Sequence, residues 1–244
     1  MNKPEGGPVS RIARAYPDRV EVRGRDLAGD LMGRLSFTEF FHLLLTGEEP
    51  TEEQRFFLDL LLVSIAEHGL MPSNVAARMT LAADPGSLHG AVAAGILGAG
   101  PVVLGTSEEC ARLLAAGGEP AGIVRRHRED GRRVPGFGHP VHTPVDPRAE
   151  RILALADERG VSGAHVARAR ALHAEIGLTM NVSLPIAAVM LDLGFPPAAV
   201  KAVPILARTA SLLAHLAEER EAPIGFALAR AAEEAVAYEP DAPA

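Results

Sequence analysis

The chain has no tryptophan and a single cysteine, and aromatic residues make up only 4% of its 244 positions. A lone Cys110 excludes an internal disulfide framework and any multi-cysteine metal site. It suits a reducing, cytoplasmic compartment. A surplus of basic charge is missing too: 24 Lys and Arg stand against 31 Asp and Glu, a formal charge of −7. That balance argues against a nucleic-acid partner, because phosphate binding needs Lys and Arg concentrated on one face. The first residues lack the apolar run of a signal peptide. The only long uncharged stretch, 85–107, carries His89, Pro101 and six glycines with few large apolar side chains, so it reads as a buried, glycine-thinned helix and not as a membrane span. Strand-like alternation is confined to 19–25, where Val20 and Val22 alternate with charged residues. At most a short hairpin is expected there.

Helical signals dominate what is present. Ser36 with Glu39 and Thr51 with Gln54 have capping-box spacing, in which each partner satisfies a backbone N–H left free by the first helical turn. Phe37, Phe40, Phe41, Leu44 and Leu45 keep one helical face, while 56–65 is apolar around most of its circumference and is expected to be central. Further helices are expected over 74–83, 88–97, 107–116, 122–128, 148–158, 163–176, 184–193 and 198–219, with glycine and proline breakers between them. The tail after Tyr238 reads as frayed. About nine helices with almost no sheet make an all-α domain, and the length allows one domain or one domain carrying a smaller insertion.

Chemistry is concentrated in the segment running from Val134-Pro135-Gly136-Phe137-Gly138-His139 to His142 and on to Asp146-Pro147-Arg148. It is too rich in Pro and Gly to be helical, and ordered loops of this kind hold binding groups on a rigid scaffold. His68 ends an apolar helix, His89 sits at a turn-to-helix junction, and Asn181-Val182-Ser183 precedes another helix. Arg208 lies in a very apolar stretch, where a guanidinium must find an anion or a backbone acceptor. Arg125, Arg126, Arg128, Arg132 and Arg133 cluster before the Gly136 loop in an otherwise acidic chain, a charge pattern that suits a nucleotide's phosphates or simply a solvated helix end. His139, His142 and Asp146 could be imagined as metal ligands, but no His-Glu-x-x-His helix or cysteine supports a metal, and none is expected. The glycines of 95–100 have the wrong spacing for a dinucleotide loop, and no Gly-x-Ser-x-Gly elbow occurs.

Gly136-Phe137-Gly138-His139 followed by Asp146-Pro147-Arg148 resembles the signature of the citrate synthase family. Ser87-Leu88-His89-Gly90 and Ala207-Arg208-Thr209, with His215 beyond, are similar to two further motifs of that family. The opening, from Val22-Arg23-Gly24 through Glu67-His68-Gly69, is more similar to citryl-CoA lyase, the C-terminal module of ATP citrate lyase, and the short length suits that module. The resemblance implies a large helical domain formed by 1–103 and 195–244, with a smaller helical domain, 104–194, inserted. It implies an acyl-CoA such as acetyl-CoA and a small di- or tricarboxylic acid as substrates, no tightly bound cofactor, and a homodimer. His89 would donate to the thioester carbonyl, His139 would bond the keto or hydroxyl oxygen of the acid, and His68 would contact its carboxylate or hydroxyl. Arg148 and Arg208 would clamp carboxylates. The backbone of Pro135, Gly136, Phe137 and Gly138 would lie against adenine, with Arg132 and Arg133 near the phosphates.

Two departures accompany the resemblance. Ser183 stands where the family has the aspartate that takes a proton from the acyl-CoA methyl, and a serine cannot do so near neutral pH without a base of its own. Glu67, Glu218 and Glu219 are the candidate substitutes. A further carboxylate-binding arginine, which synthases supply from the partner subunit, falls by offset near Leu228, flanked by Arg220 and Arg230. The leading expectation is a citryl-CoA lyase. The alternatives are a synthase condensing acetyl-CoA with a different 2-oxo acid, and a catalytically silent acyl-CoA-binding relative.

Overall fold

The computed structural model describes residues 8–100, 104, 106–139 and 141–239. Pro101, Pro140 and the tail from 240 onward lie outside the described residues. The described residues hold twelve α-helices and one three-stranded antiparallel sheet, an all-α architecture. Residues divide into two compact units, Met1–Asp59 and Leu60–Ala244.

In the first unit, β1 (Ala13–Ala15), β2 (Val20–Val22) and β3 (Arg25–Asp26) form the sheet, with Ala13 opposite Val22 and Val22 opposite Arg25. The hairpin expected at 19–25 is therefore extended by a strand on its N-terminal side. Its tight turn is Arg23-Gly24, both at positive φ (51° and 79°), the combination that matches the twist of a two-residue hairpin. A π-helical turn, Leu27–Leu31, leads towards α1 (Phe37–Thr46). Val22, Leu31 and Leu43 are buried together with Leu27, Leu35, Phe40 and Leu44 around them. The capping box at Ser36 is complete, with Ser36 Oγ accepting from the Glu39 N–H at 3.3 Å and Glu39 Oε2 from the Ser36 N–H at 2.7 Å. Thr51 and Gln54 make the same reciprocal pair before α2 (Glu52–Ala66). α2 runs on past Asp59 into the second unit; Phe57, Leu58 and Leu61 are buried, but Val63 is exposed, so this helix is less enclosed than its composition suggests.

The second unit is built around two buried helices. α9 (Ser183–Asp192) is buried from Ser183 to Leu191, and α5 (Thr106–Ala116), α7 (Pro147–Glu158), α8 (Ala164–Ile176) and α10 (Pro197–Val200) all pack on it, while α6 (Pro120–Glu129) packs on α8. α11 (Ala202–Glu221) packs against α3 (Pro72–Ala83) and α4 (Leu88–Ala99), and α12 (Gly225–Ala235) against α3. Proline opens α3, α6, α7 and α10, where the missing N–H is one the first turn cannot use. The single helix expected over 198–219 is broken at Lys201, because Pro204 has no N–H to offer the Val200 carbonyl. α12 was not anticipated; it starts two residues after Pro223.

The uncharged stretch 85–107 contains α4, whose 12 residues reach only about 18 Å, short of a bilayer's hydrocarbon core of about 30 Å. Its glycines permit close contact. A Cβ on Gly95 would lie 2.6 and 2.7 Å from the Leu212 methyls, and one on Gly98 would lie 3.1 Å from Ala76 Cβ. The 197–221 segment is long and apolar enough to cross a membrane, but it is half buried within the chain and carries buried Arg208.

The Gly95 and Leu212 contact gives a reciprocal test. Leu212→Ala is expected to cost about 2–5 kcal/mol in urea denaturation. Gly95→Ala is expected to destabilise the native protein through the clash. In the Leu212→Ala background it should cost much less, since the closest clash is gone, Ala77 Cβ at 3.1 Å alone remains and alanine is the better helix former.

Candidate functional site

The glycine loop is held by backbone pairing. Gly138 N–H donates to the Thr179 carbonyl at 2.8 Å, Asn181 N–H to the Gly136 carbonyl at 3.0 Å, and Asn181 Nδ2 to the Gly138 carbonyl at 3.1 Å. Gly136 has φ 87°, and a Cβ there would meet Leu184 Cβ at 2.8 Å and Cys110 Sγ at 2.9 Å. Only glycine fits, for conformation and space together. Cys110 is fully buried and its thiol is pushed up by desolvation, so it packs and is not a nucleophile.

Downstream, Asp146 caps α7 by accepting from the Arg148 N–H at 3.0 Å. The same carboxylate grips the Arg148 guanidinium through Nε at 3.0 Å and Nη2 at 2.9 Å, and it accepts from the Val182 N–H at 3.1 Å. Burial raises its pKa, but the Arg148 hydrogen bonds and charge and the Val182 N–H outweigh that and leave it lowered. One ionised side chain thus fixes the start of α7, the direction of Arg148 and the approach to α9. At the start of α9, Asn181 Oδ1 accepts from the Ser183 N–H at 3.1 Å, and the Ser183 and Thr106 hydroxyls lie 2.9 Å apart.

These elements enclose a cavity of about 250 Å³. His68, His139, Arg148, Arg208, Thr106, Asn181 and Ser183 are among its lining side chains, and among the described residues no Asp or Glu lines it. Arg208 is 3% exposed. Its Nη2 reaches the Ile65 carbonyl at 3.4 Å, while Nε and Nη1 are buried without a partner among the described residues. Burial lowers its pKa against the opposing charge of Glu67, and Arg148 lowers it further. A guanidinium in this state requires an anion.

The histidines are set up as donors or neutral bases. His139 Nδ1 accepts the backbone N–H groups of Val141 (3.1 Å) and His142 (2.9 Å). This assigns the ring proton to Nε2. His139 Nε2 lies 3.4 Å from Arg148 Nη2, so two donors converge on one place, where an acidic oxygen fits. Burial first, then the positive charges of Arg148, His142 and Arg208, hold His68 below the usual histidine value against Asp146. His139 is lowered by burial and by His142, Arg148 and His68, again against Asp146. His68, His139 and His142 present nitrogens within 4.8 Å of one another. The donor tautomer of His139 and the adjacent guanidinium do not suit a cation there.

Glu67 holds the His68 turn. Its Oε1 accepts from the His68 N–H (2.8 Å) and the Gly69 N–H (2.6 Å), and its Oε2 accepts from Ser211 and lies 3.0 Å from His215 Nε2. Burial raises its pKa, but the hydrogen bonds from Ser211, Gly69 and His68, and His215, prevail and lower it. Arg78, only 1% exposed, donates to His215 Nδ1 and pairs with Glu218 and Glu219. All three glutamates suggested as substitutes for the family's aspartate are therefore engaged in this network, and none lines the cavity.

The family model for the citrate synthase C-terminal domain matches residues 11–230. The chain belongs to the citrate synthase family. The citrate synthase of Haloferax volcanii is 29% identical over 230 residues, 87% of this chain and 60% of that protein. The putative citrate synthase 2 of Mycobacterium bovis is 30% identical over 70% of this chain and 49% of its own length. This member thus spans about half to three-fifths of the curated synthases it matches. Citryl-CoA lyase from Hydrogenobacter thermophilus superposes with a TM-score of 0.86 and 31% identity, covering 97% of this chain and 96% of that one. ATP citrate lyase from Methanothrix soehngenii, in complex with citrate and coenzyme A, shares the fold (TM-score 0.80, 21% identity, 99% of this chain and 43% of that one).

Within this family member, the cavity gathers His68, His139, Ser183, Arg148, Arg208 and Gly138. His89 stands apart, exposed in the first turn of α4. Gly136 is buried under the loop, and the Phe137 ring stacks on His173 at 6.4 Å. Arg132 and Arg133, like Arg125, Arg126 and Arg128, are exposed, with Arg132 paired to Asp130 and Arg125 to Glu129. Arg220 and Arg230 are exposed. Sequence reasoning missed Thr106, which has no motif to mark it, and considered His142 only as a metal ligand.

The lowered histidines predict a pH effect of definite sign. Between their folded values and the ordinary value of about 6.5, the unfolded chain holds more protons, so stability rises with pH. The contribution is complete above the ordinary value and is lost as pH falls through the folded one. The melting temperature should drop between pH 7.5 and 5.5, and should drop less in His139→Gln; equal drops in both proteins would contradict this account of the site.

Proposed function

We propose that this chain breaks a carbon–carbon bond beside a CoA thioester, taking citryl-CoA to acetyl-CoA and oxaloacetate. The observation that carries the reading is Arg208, a buried guanidinium with two nitrogens unpaired among the described residues, lining a cavity to which no described residue contributes a carboxylate. Such a cavity is complementary to an acid bearing more than one negative charge. Arg208 and Arg148 hold the carboxylates. His139, with its proton on Nε2, donates to the oxygen on the carbon where the bond breaks. At about 250 Å³ the cavity suits a small acid and not a whole coenzyme, since pockets for drug-sized ligands run to about 300–1,000 Å³. The coenzyme would extend outside it, along the backbone of Pro135 to Gly138 and towards the exposed Arg132 and Arg133, with His89 supplied to the thioester oxygen. The likeness to a citryl-CoA lyase over nearly the whole of both chains supports cleavage. The same reading takes 104–194 as the smaller inserted domain and the protein as a cytoplasmic homodimer.

Ser183 favours cleavage over condensation. Condensation begins by removing a proton from an acyl-CoA methyl, a step that needs a positioned base, whereas an enolate released by cleavage can be protonated by water. A silent acyl-CoA-binding relative is the other outcome, distinguished by tight binding without turnover.

Incubation with citryl-CoA, following free thiol and oxaloacetate, is expected to show turnover that His139→Ala and His89→Ala abolish. Arg208→Met is expected to raise the melting temperature of the free protein, because an unpaired buried charge is removed. It should also abolish the stabilisation that citrate gives, which for the native protein is about 2.7 kcal/mol at one hundred times Kd. Unchanged citrate stabilisation in Arg208→Met would sink the site assignment. Ser183→Asp is expected to raise condensation of acetyl-CoA with oxaloacetate by about 10²–10⁴, the usual contribution of a positioned base.

A further inference from the structure

With no carboxylate among the described residues that line the cavity, a different group must take the hydroxyl proton when citryl-CoA is cleaved. Ser183 and Thr106 bond to each other, Asp146 is committed to Arg148 and Val182, and Glu67 is committed to the His68 turn, Ser211 and His215. His139 is held as a donor at Nε2. His68 remains. Its ring lines the cavity, and its Nε2 lies 3.4 Å from Nε2 of His142, a residue that does not line the cavity and is partly exposed. The His142 ring is itself braced against His139, with centroids 4.4 Å apart and planes at 33°. Two imidazole nitrogens in this contact can share only one proton between them.

We infer that His68 and His142 form a proton relay between the cavity and solvent, with His68 as the general base and His142 as the positioning and proton-accepting residue behind it. The inference rests on the cleavage reaction proposed above. In the resting pair, the His68 Nε2–H donates to His142 Nε2 and His68 Nδ1 keeps its lone pair. The tertiary hydroxyl of citryl-CoA gives its proton to His68 Nδ1, its O–H electrons become the new carbonyl bond, and the carbon–carbon bond breaks with its pair moving into the thioester as an enolate. His68 passes its Nε2 proton to His142, which releases its Nδ1 proton to solvent. A water molecule protonates the enolate carbon, the hydroxide left in the cavity takes the Nδ1 proton from His68, and the relay runs back: His142 returns its Nε2 proton to His68 and regains one at Nδ1 from solvent, so the protons balance and both rings recover their starting tautomers. The surroundings favour a neutral His68 ring ready to accept: it faces Arg148, Arg208 and His142 on the positive side and Asp146 on the negative, with Glu67 held by the His68 backbone N–H, and His142 packs against His68 and His139.

The test is His142→Gln, which keeps a hydrogen-bonding side chain but cannot pass a proton. Its kcat on citryl-CoA is expected to fall about 10–100-fold, within the range of positioned acid–base catalysis, with KM changed less than threefold and the acid limb of the kcat profile displaced. Added imidazole should partly restore turnover in His142→Ala. Independently of activity, ring NMR of the histidines in the native protein should show His68 titrating in coupled steps shared with His142, and in His142→Gln the His68 curve should lose a step. A His142→Gln protein with native kcat overturns the relay. If the native protein cleaves no citryl-CoA, the cleavage reading fails by itself and the titration decides the pair: a His68 curve unchanged by His142→Gln overturns the coupling.

Discussion

Asp146 is the side chain on which the rest of the site depends. Buried, ionised and saturated with donors, it starts α7, aims Arg148 and anchors the backbone entering α9. A carboxylate in this position is kept charged by its partners and in turn keeps them in place, so three separate elements share one electrostatic anchor. Without it the Arg148 guanidinium and the Val182 N–H would both lose a partner, each at the cost of leaving a desolvated polar group unsatisfied.

Around that anchor the charges are distributed unevenly. Among the described residues, the acidic side chains near the cavity are turned into the scaffold: Asp146 onto Arg148, Glu67 onto the His68 turn, Glu218 and Glu219 onto Arg78. The lining is left with guanidiniums, imidazoles held neutral by desolvation and positive neighbours, and hydroxyls. Such a surface stabilises negative charge wherever it appears in a bound molecule. It does not by itself remove protons from carbon, and Ser183 supplies no carboxylate that could do so.

Much of this was legible in the sequence. Capping boxes, glycine and proline breakers and apolar faces placed most of the helices. The Gly-x-Gly-His and Asp-Pro-Arg steps marked the loop because backbone strain and charge pairing demand those residue types: Gly136 has no room for a Cβ, and Asp146 and Arg148 are two residues apart because one caps the helix that carries the other. Arg208 stood out as a charge in an apolar helix. What could not be read is what depends on distances between elements far apart in the chain. The contact between His68 and His142 spans 74 positions, the bond between Thr106 and Ser183 spans 77, and the engagement of Glu67 with Ser211 spans 144. The break at Lys201 follows from Pro204, a proline inside an apolar run. α12 has no side-chain cap at Ile224 to mark its start.

The orphaned nitrogens of Arg208 have a consequence at the level of the cell. A protein that carries an uncompensated charge in its core is less stable empty than filled, and the fraction transiently unfolded is what proteases and chaperones sample. Any anion that pairs with Arg208 would stabilise the folded chain by mass action and so lengthen its lifetime.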